Sequence, residues 1–194
     1  METSSEHLHH THPPADTGVD YLFLIFMVFI VVAVTWLGIT NFTEAKKTEV
    51  AKSNGEAWVE WLTEQGTKRF EADYKIEACK GGVKPSPDAA KSDDPVLGTW
   101  GACFNYIMKN TDLKDQINTF FNKTPQFVEK CDTSNRSLTG AIVLEDLMPT
   151  PPGSAIPFVG TQLVATDPID YKMQLRVSVC DKGGDAIKVA EFEF

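Results

Sequence analysis

The chain has 194 residues, 42% of them hydrophobic, and a formal net charge of -9 at neutral pH. That length holds one globular domain besides a tail and an anchor. The acidic surplus argues against a nucleic-acid partner, because neutralising phosphates takes clustered Lys and Arg that this sequence lacks.

Residues 1–18, METSSEHLHHTHPPADTG, are polar and too poor in apolar side chains to bury anything, which predicts a disordered His-rich tail or leader. His7, His9, His10 and His12 are the chain's only histidines. Neutral imidazoles bind transition metals, but organising a site from a flexible tail costs too much chain entropy, so no metal or cofactor is expected.

From Tyr21 to Phe42 the sequence reads YLFLIFMVFIVVAVTWLGITNF, without a charged residue. As a helix this run is long enough to cross a bilayer core of roughly 30 Å, which predicts a transmembrane helix over 19–42. Tyr21 at one end and Trp36 and Phe42 at the other suit the two headgroup levels. Membrane lipid is therefore the first expected partner. Helices in lipid associate through close packing of small residues, for which Ala33, Thr35 and Gly38 are the candidates.

Residues 43–78 are predicted to continue the anchor as an amphipathic helix to about Tyr74, because Val50, Trp58, Trp61, Leu62 and Phe70 recur at helical intervals. Trp58, Trp61 and Leu62, at i, i+3 and i+4, share one face, expected to pack on a sheet of the same chain. Gly55 and Gly66 weaken a helix and mark a bend or a close contact.

Residues 79–194 form the expected head domain. Its Cys79, Cys103, Cys131 and Cys180, an even count in a small tethered domain, predict two disulfides in an oxidising compartment. Four cysteines allow three connectivities, all left open. Gly81 to Pro95 reads as a loop by composition. Trp100, Cys103, Phe104 and Ile107 predict a short helix over Thr99–Lys109, and Asp112 is placed to cap another through Phe121, with Leu113, Ile117, Phe120 and Phe121 inward. Thr139–Leu147 is β-rich, and the prolines of MPTPPGSAIP, Pro149 first, should stop its ladder. Tyr171–Cys180 alternates as a half-buried strand, and DKGGD, 181–185, predicts a hairpin turn into Ala186–Phe194. Asp181 and Asp185 are read as turn residues, not calcium ligands. Phe192 and Phe194 leave the parity of Ile187 and Val189, which predicts a bulge or a frayed end.

Two signals of orientation disagree. Lys46, Lys47 and Lys52 after the span favour a cytoplasmic head by the positive-inside rule, whereas the cysteines favour export. The rule weakens when a long domain crosses, so the cysteines decide for an extracytoplasmic head, periplasmic or at the cell surface. With every histidine in the tail, the head cannot carry a His-dependent triad, and its carboxylates read as solvated faces. No catalytic residue is assigned and the chain is not expected to be an enzyme.

An uncharged N-terminal helix, an amphipathic continuation, an irregular loop and a C-terminal antiparallel sheet with cysteines come in the order of the type IV pilin and pseudopilin architecture, which this chain resembles over most of its length. The resemblance implies an α+β, pilin-like fold with the long helix packed on the sheet. It implies cleavage by prepilin peptidase after Gly18, leaving Val19 first, and homo-oligomeric assembly into a surface filament with the helices inside. The family's basic residues before that glycine have no counterpart here, and Phe23 stands where its glutamate would be. The expected function is a single-pass structural subunit; the alternative is an accessory subunit bound to other membrane subunits.

Overall fold

The computed structural model describes residues 17–82 and 96–194, with side chains from Tyr21 onward. The His-rich stretch and most of the predicted loop Gly81–Pro95 lie outside the described residues. The architecture is α+β: helix α1, Thr17–Lys68; helix α2, Trp100–Asn110; and four strands, β1 Ile142–Pro149, β2 Phe158–Gln162, β3 Gln174–Cys180 and β4 Ala186–Glu193. Two compact units divide the chain, Met1–Glu44 and Ala45–Phe194, so the amphipathic part of α1 belongs to the head. Helix α1 ends at Lys68, short of the expected Tyr74, and the chain then turns through a 3-10 segment at Glu77–Cys79.

The strands make one antiparallel sheet in the order β2-β1-β3-β4. On one face Ile142 and Leu144 of β1 and Leu175, Val177 and Val179 of β3 meet Trp58 and Leu62 of α1 and Trp100, Cys103, Phe104 and Ile107 of α2. Trp58 and Leu62 are 1% and 0% exposed, and each such burial contributes about 1.5–3 kcal/mol. Trp61 is partly buried against the same core. Aromatic rings fill its centre: Trp100 stands 5.5 Å from Phe104 and 5.1 Å from Phe194, and Phe104 stacks on Phe127 at 3.8 Å. The opposite face is covered over a smaller area, where Ala141, Val143 and Cys180 meet Val128, Cys131 and Leu138.

The cysteines pair as Cys79–Cys103, tying the 3-10 segment to α2, and Cys131–Cys180, tying the covering segment to the end of β3. One bridge thus lies in each core layer.

Three strands follow the sequence pattern, with informative shifts. Strand β1 begins only at Ile142, because Gly140 takes a φ of +75° where an added Cβ would lie 2.6 Å from Asn118 Oδ1. It runs through Pro149, which the sequence reading made a stop. Pro149 faces Phe158 at a position whose backbone makes no bond to β2, so a missing N–H costs nothing there. Strand β2, between Pro157 and Leu163, was not foreseen. The parity break in β4 is a bulge: Val177 pairs with Ala190 and Ser178 with Lys188, leaving Val189 unopposed.

The second helix expected from Asp112 is not formed. The Thr111 side chain accepts from Leu113 N at 3.2 Å and caps a 3-10 turn at Asp112–Asp115, after which Gln116 is extended at φ -63°, ψ 144°. Of the residues expected inward, Leu113 is buried while Ile117 and Phe121 are exposed. Tertiary bonds outweigh helix propensity here: Asn54 Nδ2 donates to Ile117 O at 3.1 Å, and Trp58 Nε1 to Gln116 Oε1 at 3.2 Å.

Candidate membrane helix and head surfaces

Among the described residues one helix is long and apolar enough to cross a membrane, and it lies near the N-terminus. From Tyr21 to Phe42 its large side chains, Phe23, Phe29 and Trp36 among them, are exposed. Apolar surface on this scale marks a lipid or protein contact. Its threonine hydroxyls are satisfied within the helix: Thr35 Oγ1 donates to Val31 O at 2.7 Å and Thr40 Oγ1 to Leu37 O at 3.0 Å. That is what a hydrocarbon environment requires, since an unpaired polar group there costs several kcal/mol. This stretch fits a membrane anchor.

The predicted site residues fall into separate places. Gly18 and Val19 lie at the start of α1. Ala33 is half-buried, Thr35 is exposed, and a Cβ added at Gly38 meets nothing within 4 Å. Trp58, Trp61 and Leu62 serve the head's own core. The four cysteines form the two bridges. Among the described residues no group of three or more His, Cys, Asp or Glu could hold a metal ion. Asp181 Oδ1 accepts from Asp185 N at 2.8 Å, and Asp181 N donates to Asp185 O at 2.9 Å, so these residues close the hairpin turn.

A polar knot that the sequence did not single out joins the end of α1 to the sheet. Arg69, 2% exposed, donates from Nη2 to Asp170 O at 2.8 Å, Tyr171 O at 2.9 Å and Phe194 O at 2.8 Å. Its guanidinium also lies 4.3 Å from the Phe194 ring centre and 4.9 Å from that of Phe70. Burial holds its pKa below the usual arginine value. Burial likewise pushes the Tyr74 phenol up to about 12, and its hydroxyl has no hydrogen-bond partner among the described residues. Neither residue interrupts a hydrophobic period in a way that flags it; only the fold brings Asp170, Tyr171 and Phe194 to one cation.

Two further surfaces stand out on the head. A groove of about 460 Å³ between α1 and α2 is lined by Trp61, Ile76 and Tyr106, with Glu60, Glu64 and Asp112 on its walls. On the sheet face opposite the main core, Arg176 bridges Glu145 at 3.4 Å and Glu191 at 2.9 Å, and the hydrogen bond from Arg176 is the chief cause of the lowered Glu191 pKa. On the other face, burial raises the Asp146 carboxyl, with Asp170 adding repulsion. These groups are spread over different parts of the head and do not converge on one pocket. Comparison with protein-family models, with curated proteins and with solved structures finds no match for this chain in any of the three.

Proposed function

We propose that this chain is a structural subunit, a single-pass membrane protein whose α+β head is presented outside the cytoplasm. The observation that carries the reading is the continuity of α1. The same unbroken helix supplies the uncharged Tyr21–Phe42 stretch and, further on, the Trp58 and Leu62 that anchor the head's core. One covalent element thus contributes both a span of membrane length and part of a packed head core, which is what a subunit held in a bilayer requires. The two disulfides support the extracytoplasmic orientation, since such bonds persist in oxidising compartments. A pilin-like filament, with helix contacts at Ala33, Thr35 and Gly38, is the specific form we favour.

Shearing intact cells and fractionating the supernatant tests this reading. Recovery of the chain in high-molecular-weight fibres, with a mature N-terminus at Val19, supports the filament. A chain that stays in the membrane fraction and co-purifies with other subunits after detergent extraction refutes the filament in favour of an accessory subunit. The acidic, aromatic groove beside Trp61 and Tyr106 favours that second reading as a place for a partner's basic side chain.

A further inference from the structure

The two edges of the sheet are built differently. Strand β4 is guarded: it carries Lys188, Glu191 and Glu193 and is bulged at Val189, the devices that keep an edge from pairing with another chain. Strand β2, Phe158–Gln162, has the sequence FVGTQ, with no charge, and its pairing with β1 runs in regular register. Leu163 N donates to Leu144 O at 3.0 Å and Thr150 N to Pro157 O at 3.1 Å. Residues 157, 159, 161 and 163 therefore turn their backbone groups toward β1. By the strand alternation, Phe158, Gly160 and Gln162 turn theirs outward.

We propose that this edge pairs antiparallel with the same edge of a second copy of this chain, about a two-fold axis through Gly160. In that register the outward N–H and C=O of Gly160 meet their own symmetry mates, Phe158 exchanges hydrogen bonds with Gln162 of the copy, and Val159 lies opposite Thr161 of the copy. An isologous contact of this kind is self-complementary and closes as a dimer. Charge selects the occupant. A chain of net charge -9 repels its own copies over most surfaces, and this neutral strand lets them approach. A partner chosen for opposite charge finds nothing on β2 to grip. Near the axis, Glu145 Oε1 lies 2.9 Å and Arg176 Nη1 3.4 Å from the point where a Gly160 Cβ would stand, so the carboxylate there is matched by its own cation. The pairing also covers apolar surface, since Val159 and Met148, opposite each other across β1 and β2, are 53% and 51% exposed. The pairing concerns the head alone and stands whether or not a filament forms.

Cysteine cross-linking of the whole chain in detergent and in liposomes tests the register. Val159→Cys and Thr161→Cys are made in two chains carrying tags of different size. Opposite residues of this non-hydrogen-bonded type stand about 4.5 Å apart at Cα, within disulfide range. Oxidising the mixture is expected to give the mixed dimer, and oxidising either variant alone little of it. A second variant, Val159→Lys/Thr161→Lys, sets like charges opposite each other on an exposed strand and is expected to weaken self-association about tenfold. Its thermal melt should match that of the parent chain. A chain that stays monomeric in both media, a cross-link as strong in either single variant as in the mixture, or unchanged association in the lysine variant overturns the proposal. So does recovery of β2 paired with a different protein.

Discussion

Replacing Gly66 by alanine sets two effects of opposite sign against each other, and the structure decides between them. In an open helix position the change stabilises by about 1 kcal/mol, because glycine is the poorer helix former. At Gly66 the added Cβ would lie 2.8 Å from Phe194 Cα and 3.2 Å from Phe194 Cδ2. Carbon atoms pack at 3.5–4.0 Å, so about 0.7 Å must be found. Phe194 is poorly placed to yield: it is buried, exchanges backbone bonds with Met173 at 3.0 and 2.8 Å, and accepts from Arg69. Overpacking of this kind costs about 1–3 kcal/mol, so Gly66→Ala is expected to destabilise the head by about 1 kcal/mol net, and Gly66→Leu by considerably more. Denaturant unfolding followed through the fluorescence of the buried Trp58 and Trp100 measures both. An alanine variant about 1 kcal/mol more stable than the parent would refute the reasoning, since the helix end could not then be seated on Phe194.

Leu62→Ala removes a side chain with no exposed surface and is expected to cost about 3 kcal/mol in the same unfolding experiment. The bridges Cys79–Cys103 and Cys131–Cys180 span 24 and 49 residues, which by loop entropy alone makes the second worth about 0.6 kcal/mol more. Cys79 and Cys103 lie fully buried in the main core, however, and alanine at both leaves space there that costs more than this difference. Melting of the paired alanine variants should therefore rank Cys79–Cys103 as the costlier loss. The Tyr74 phenol should ionise well above the ordinary tyrosine range in an absorbance titration. Its phenol is held up to about 12 against an ordinary 10, so the folded state keeps a proton that the unfolded chain releases, and stability should fall by up to about 3 kcal/mol between pH 10 and 12. Tyr74→Phe should remove that alkaline decline. At neutral pH it should change stability by less than about 1 kcal/mol, because the lost hydroxyl has no partner among the described residues.

What the sequence disclosed was what a local period can carry. The uncharged run, the Trp58–Leu62 stripe, α2 and the alternation of β3 are each written in the spacing of their own side chains, and the Val189 bulge showed as a change of parity. Features that depend on distant partners did not show. The 112–121 segment has helical spacing but forms only a 3-10 turn, because Asn54 and Trp58 hold the chain at Gln116 and Ile117. Strand β2 is five residues behind a run of prolines, and only its pairing with β1 makes it a strand. The pairing of the cysteines waited on the fold. The Arg69 knot was invisible for the same reason, since its acceptors lie 101 to 125 residues away in sequence.

The turn from Thr150 to Pro157, exposed over most of its length, falls between Cys131 and Cys180. A protease that nicks it leaves two fragments still joined by sulfur. Such a clipped molecule would run intact on a gel without reductant, and the break would come to light only when thiol is added.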